Sequence, residues 1–365
     1  MPLDDSPACL SRAPDASEVR KNKRKRPGFP LADTRQWHDL LGQEYGRPWD
    51  TFHPAYDAYA ERHMRVLVII NKWWECDPAL AAMLNDNTRP SDSPWPNDLK
   101  PARPRPEVAS VENLNPVQRA TFRYKNFAAE VWCVSDLLDG LSRSLQSSSL
   151  EKYKRLPAIF KGEKPGLVIA VGTASSPHFG VNCNGGVAVG TSVFMHDGRP
   201  DDANPDKYLS LPIFDQLVGS TITAPVFERI QRMNVTSVLN RFLPVPLNPS
   251  PSVDVSIGFG NVALGTINVP DLKDYATKDL LTVQAFKEHV KTADAVSLET
   301  THGLIRAQVR DLAGDCPFLF VSGIVNRFGR FLTDVDPRAD AQNTVGAHNA
   351  GVVVTWMLSS LDKED

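Results

Sequence analysis

Short apolar runs of strand length alternate with helical patterns through most of this chain. Residues 65–70 (Arg-Val-Leu-Val-Ile-Ile) form the first such run, rich in β-branched side chains, and predict a buried strand. It leads into Asn71-Lys-Trp-Trp-Glu-Cys-Asp-Pro78, where Pro78 suits the first turn of a helix and Asp77 its N-cap. Residues 167–171 (Leu-Val-Ile-Ala-Val) predict a second buried strand that opens into a turn at Gly172. Residues 185–193 read as one further strand after a glycine turn, and 253–257 as an alternating strand ending in Gly258-Phe-Gly260. A helix is expected over about 280–290, a strand over 295–301, a helix to about Leu312 and a strand over 320–328. Val345, Val352, Val353, Trp356 and Met357 repeat at the spacing of a buried helical face, which predicts a last helix over about 340–361.

Strands alternating with helices imply an α/β fold, a three-layer αβα sandwich around a mixed, mostly parallel sheet. Two stretches break the pattern. Residues 1–60 read as a Pro- and charge-rich extension with the basic run 20–26, whose later aromatics (Trp37, Tyr45, Trp49, Phe52, Tyr56, Tyr59) are expected to pack on the body. Residues 85–116 hold seven prolines, too many for a helix or central strand, and read as a surface insertion within a domain spanning 61–365.

Composition changes the picture little. The 365 residues are 42% hydrophobic and 23% charged, with a net charge of −3, which gives no global argument for nucleic acid or membrane. No apolar run has the length to span a bilayer. The five cysteines form no C-x-x-C pair, so a reduced, cytoplasmic protein without structural zinc is the expectation. No cofactor is called for by any motif: there is no Walker loop, nucleophile elbow or H-E-x-x-H helix.

The chemical candidates sit at strand exits, where ligands bind in open α/β sheets. Glu299 ends one apolar run and Asn326 another. A carboxylate accepts hydrogen bonds from both hydroxyls of a ribose, and a carboxamide reads a base through donor and acceptor together. Each also has a plainer explanation: Glu299 as an acid at a helix N-terminus satisfying the Thr301 and Gly303 amides, Asn326 as a turn residue. Glu75 suits proton abstraction from water, or else a generic helix start. Gly172 and Thr173 offer donors to an anion or to that water, and Phe259 a stacking surface.

Taken in order, these segments resemble the nucleoside phosphorylase superfamily, which comprises nucleoside phosphorylases and related nucleosidases. The resemblance covers roughly 64–76 and 167–361. Residues 64–75 look like the nucleosidase version of the first strand and loop, with Glu75 at the water-activating position. Residues 171–176 and 186–191 resemble the glycine-rich turn and the strand after it. Val296-Ser-Leu-Glu299 is similar to the family's Glu-Met-Glu ribose site, so the resemblance implies substrate contacts for Leu298 and Glu299. Gly323-Ile-Val-Asn-Arg327 is close to the base-site segment of uridine phosphorylases, implying contacts from Ile324, Asn326 and Arg327.

Four positions depart from the pattern, one of them Leu298 in place of the methionine of Glu-Met-Glu. Ala170 replaces the arginine that holds phosphate in the phosphorylases, Ser297 replaces the first glutamate, and Asn326 replaces the aspartate that protonates a purine in the nucleosidases. The resemblance therefore implies cleavage of an N-glycosidic bond of a nucleoside or nucleotide, with hydrolysis favoured over phosphorolysis and purine slightly over pyrimidine. The resemblance also implies a homo-oligomer with the site completed across an interface, while inorganic phosphate as a second substrate and a degenerate binding module stay open.

Overall fold

A computed structural model describes residues 58–70, 73–85, 88, 116–134, 159–160, 164–177, 184–201, 204–218, 235–239, 253–255, 261–266, 274–290, 294–314, 316–328 and 340–361. Eleven strands and four long helices follow in the order β1 (Met64–Ile70), α1 (Trp73–Leu84), β2 (Pro116–Arg123), β3 (Phe127–Val134), β4 (Leu167–Ser176), β5 (Val187–Gly190), β6 (Ser192–Asp201), β7 (Asn204–Val218), β8 (Val253–Val255), β9 (Asn261–Thr266), α2 (Asp274–His289), β10 (Asp294–Glu299), α3 (His302–Ala313), β11 (Phe318–Arg327) and α4 (Asp340–Leu361). The strands join one mixed sheet in the order β2-β3-β1-β4-β10-β9-β6-β7, with β11 against β4 and β5, and β8 against β5. Parallel pairings join β1 to β3 and β4, β4 to β11, β9 to β6 and β10, and β5 to β8. The expected α/β sandwich is the fold.

Period-two burial sorts the sheet's side chains into two cores. Val66, Val68 and Ile70 of β1, Ile169 and Val171 of β4, and Leu319 and Val321 of β11 pack with α1 and α4. The alternate residues Leu67, Ile69, Val168, Ala170, Phe318 and Phe320 pack with Ile305, Val309 and Ala313 of α3. Phe286 of α2 meets Phe194 of β6 edge-on, 5.5 Å between ring centres, in a third cluster that includes Leu298. Both faces of the central strands are thus dry, which is why they read as continuous apolar runs.

Glycine sets how close the layers come. A Cβ on Gly323 of β11 would stand 2.0 Å from the Gly346 carbonyl oxygen of α4, and one on Gly351 would stand 2.3 Å from the Ala79 carbonyl oxygen of α1. Only a hydrogen at these positions lets α4 lie against both partners. Asn349 of α4 donates to the Gly185 carbonyl at 2.9 Å, and Gly185, at φ 85°, turns the chain into β5. A buried ion pair fixes the other end of β1: Arg65 Nε meets Glu130 Oε1 at 2.9 Å, and Trp132 Nε1 donates to Glu130 Oε2 at 2.9 Å.

Several expectations need correction. The helix after β1 begins at Trp73, so Pro78 lies inside it and Asp77 is not its N-cap. The chain does not turn at Gly172; β4 continues to Ser176 because β11 supplies a ladder partner throughout its length. The single strand expected over 185–193 is two, broken at Thr191. The β2–β3 and β6–β7 hairpins were not anticipated; Pro116 opens β2, an edge strand, where a missing N–H is tolerated. Of the extension's aromatics, Tyr59 does pack on the body, donating from its hydroxyl to the Tyr124 and Lys125 carbonyls. The others lie outside the described residues, as do the basic run and most of the insertion. Among the described residues, no helix is long and apolar enough to cross a membrane, and no acid, histidine or cysteine cluster could hold a metal.

Two measurements check this packing. Gly323→Ala should lower unfolding free energy by at least ~2 kcal/mol in urea titration, since two backbones must separate to admit the methyl. His348 of α4 is buried, and burial pulls its pKa from 6.5 down to about 4, with a side-chain hydrogen bond to Asn349 opposing. The unfolded chain then binds more protons between those values, so stability is whole above pH 6.5 and falls as pH drops toward 4. A loss of about 2 kcal/mol between pH 7 and pH 5 is expected from this residue, and His348→Gln should flatten that part of the profile.

Candidate functional site

The site is built around the far half of β4. One edge of this strand is paired with β11 from Val168 to Ser176. Its other edge pairs with β1 only through Val171 and meets β10 only at Ser175, opposite Leu298. Between them the sheet forks, and among the described residues Thr173 has a partner strand on one side only.

Helix α1, leaving the end of β1, fills the fork. Glu75 lies in its first turn and is buried. Its Oε1 accepts from the Thr173 backbone N–H at 2.8 Å and from the Thr173 hydroxyl at 2.6 Å. The carboxylate therefore takes the place that a neighbouring strand's carbonyl would have held. Thr173 serves this anchoring, whereas Gly172 pairs with Ser322 inside the sheet.

Asn326 arrives by a different device. Phe318, Phe320 and Ile324 of β11 face the α3 core, and simple alternation would point Asn326 the same way. A bulge between Ile324 and Asn326 shifts the register by one. Asn326 thereby turns to the face of Thr173 and Ser175, and its Nδ2 donates to Ser175 Oγ and to the Arg327 carbonyl at 3.3 Å. Arg327 ends the strand half-buried, opposite Ser176. Ile324 packs in the core and holds the Gly185–Gly186 segment through its backbone, while Leu298 packs beside Phe194 and Phe286. Phe259 lies outside the described residues.

Glu299 closes β10 one residue past the Leu298–Ser175 pairing. Its Oε2 accepts from the Thr301 amide, the Thr301 hydroxyl at 3.1 Å and the His302 amide at 2.9 Å, and so caps α3. The plainer reading of Glu299 is therefore present in part, with His302 rather than Gly303 as the second amide. Its other oxygen, Oε1, is buried with no hydrogen-bond partner among the described residues. Glu75 and Asn326 thus bond to Thr173 and Ser175 of β4, while Glu299 follows the β10 residue paired with Ser175 and turns its carboxylate to the start of α3.

Two features escaped the sequence. Ser175 sits two residues beyond Thr173, so alternation along β4 puts both on one face; that spacing was the available signal. His302 opens α3, stacks on Phe320, and its Nε2 is 2.9 Å from Ser322 Oγ, which donates to Ser297 Oγ at 3.3 Å. Ser297 thus belongs to a buried hydroxyl–imidazole chain that ends at His302, the first residue of α3. Cys316 is no nucleophile: its thiol donates to the Pro165 carbonyl at 3.0 Å, and burial pushes its pKa to about 11 against the pull of Lys164 and Arg306.

No protein-family model matches the chain, and no curated protein does. Solved structures similar to it include a 5'-methylthioadenosine nucleosidase of Arabidopsis thaliana, 16% identical, with 83% of this chain and 98% of that one covered at a TM-score of 0.46. A futalosine hydrolase of Helicobacter pylori is 11% identical over 83% of this chain and 99% of its own, at 0.44. A uridine phosphorylase of the oomycete Phytophthora capsici is 11% identical over 84% and 92%, at 0.46. At these TM-scores none of the likenesses carries an assignment, which rests on the side chains.

Thr173→Val keeps the backbone N–H but removes the hydroxyl facing Glu75 Oε1. It should destabilise the fold by about 1–3 kcal/mol in denaturant titration, whereas Thr173→Ser should lose less than half of that.

Proposed function

We propose that this protein cleaves the N-glycosidic bond of a nucleoside or nucleotide by hydrolysis, with a purine the first base to test. The observation that carries this reading is the divided carboxylate of Glu299. One oxygen holds the start of α3 and the other is buried without a donor among the described residues. A buried acceptor left unmatched is costly, and a hydroxyl of a bound ribose would supply the missing hydrogen bond.

The resemblance of residues 296–299 and 323–327 to a ribose site and a base site supports the same orientation of substrate. Glu299 faces the sugar, Asn326 and Arg327 stand at the base, and Glu75 stands at the water. Water oxygen then bonds to C1′ as the C1′–N bond breaks, and the electron pair of that bond leaves on the base. Glu75 takes the proton that the water gives up, and the departing base acquires one from solvent. Thr173, through two hydrogen bonds to Oε1, keeps the carboxylate in one orientation for this step. Hydrolysis is preferred to phosphorolysis because Ala170, the position of the phosphorylase arginine, is a fully buried core residue facing the α3 side.

Base release from a panel of nucleosides and nucleotides, with and without inorganic phosphate, tests the reading. Release independent of phosphate is expected, and Glu75→Gln should lower it by ~10²–10⁴-fold while ligand still raises the melting temperature. Release only with phosphate would overturn hydrolysis. Binding without release from any compound would favour a degenerate binding module.

A further inference from the structure

Asn326 cannot be the group that donates a hydrogen bond to the departing base, because both protons of its amide are used within the protein. The Arg327 carbonyl can only accept, so the amide atom 3.3 Å from it must be the nitrogen, which fixes the carboxamide's orientation. The same nitrogen gives its second proton to Ser175 Oγ. Ser175 is therefore the acceptor in that contact, and its own hydroxyl proton is directed elsewhere. Among the described residues that proton has no acceptor, although Ser175 is 7% exposed and faces the same side as Thr173.

The place of Ser175 is also the right one. It pairs with Leu298, the neighbour of Glu299, on one edge of β4 and with Asn326 on the other. Its backbone thus stands between the strand that ends in Glu299 and the strand that carries Asn326. A hydroxyl that accepts from an amide is polarised and becomes a better donor.

We propose that Ser175 is the hydrogen-bond donor to the leaving base and that Asn326 is a positioning residue that aims its hydroxyl. This assignment rests on the N-glycosidase reading given above. As the C1′–N bond breaks, the electron pair moves onto the base, and the Ser175 proton stays on its oxygen while hydrogen-bonding to a nitrogen or carbonyl oxygen of that base. A neutral hydroxyl stabilises the developing charge without transferring a proton, so the enzyme favours bases that leave as stabilised anions. The base recognised must present an acceptor to Ser175.

The test compares Ser175→Ala, Ser175→Thr and wild type on each nucleoside the wild type cleaves and on its ring-fluorinated counterpart, whose base leaves more readily. Ser175→Ala should lower kcat by about 10²-fold on the parent nucleoside with little change in KM. Its loss on the fluorinated nucleoside should be at least several-fold smaller. Ser175→Thr, which keeps the hydroxyl, should recover most of the parent rate. Equal losses on both substrates would make Ser175 a structural support and overturn the proposal, as would an unchanged kcat in a Ser175→Ala protein that melts like wild type. Absence of release by the wild type would refute the N-glycosidase reading itself, and this proposal with it, an outcome distinct from active wild type with equal losses.

Discussion

The fork along β4 is the constraint from which the rest of the site follows. A strand that runs on after its neighbour has stopped exposes main-chain donors inside a dry core, and those donors must be satisfied. Here β1 ends at Ile70, opposite Val171 of β4, and β10 meets β4 at Ser175, leaving Thr173 between them. A carboxylate at the start of α1 answers that need, since α1 is the element that leaves the end of β1. The demand of the fold and the position of the acid proposed above to act on water therefore coincide at Glu75. The same gap sets Thr173 and Ser175 side by side on one face, one holding an acid and the other an amide.

Bringing Asn326 to that face requires a second irregularity. The bulge after Ile324 costs a ladder pairing, but it converts a core-facing position into a site-facing one. The close approach of α4 at Gly323 lies just before the bulge and keeps β11 rigid where its register changes. Gly185 and Gly186 bond to Ile324 from the other side, and Asn349 of α4 in turn holds Gly185. One short segment of β11 is thus clamped by a helix and a turn immediately before it delivers Asn326. Precision in the site comes from this clamping and not from the loop that follows.

Much of this was legible beforehand, and what was missed has physical causes. Strands buried on both faces and a last helix with an apolar face announce themselves through composition and period, which is why β1, β4, β10, β11 and α4 were expected near their observed places. Glu299 and Asn326 were visible because a lone polar residue ending an apolar run is conspicuous. The fork was not, because a strand's partners lie far off in sequence; Gly172 looked like a turn only while the ladder from β11 was unknown. Nor does periodicity reveal the bulge, whose effect is to break the period. Ser175 went unnoticed for a related reason: a serine acquires meaning only from the group it faces. The hairpins β2–β3 and β6–β7 were lost because proline and charge in and around them masked the alternation.

The described carboxylates are stabilised in contrasting ways, and the contrast separates scaffold from site. Glu130 is met by the Arg65 guanidinium and the Trp132 indole, so its charge is matched and its oxygens are bound in place. Removing either partner would strand the other, and such pairs lock a fold without leaving chemistry available. Glu299 instead leans on the amides at the start of α3 and the Thr301 hydroxyl, and Glu75 accepts from the Thr173 amide and hydroxyl. Neutral main-chain donors fix the direction of the Glu299 carboxylate without cancelling its charge. At Glu299 they also engage only one oxygen, leaving the second to be satisfied from outside the described protein. A fold that needed Glu299 only as a helix cap would gain nothing from burying that second acceptor, so the arrangement makes sense if a ligand completes it.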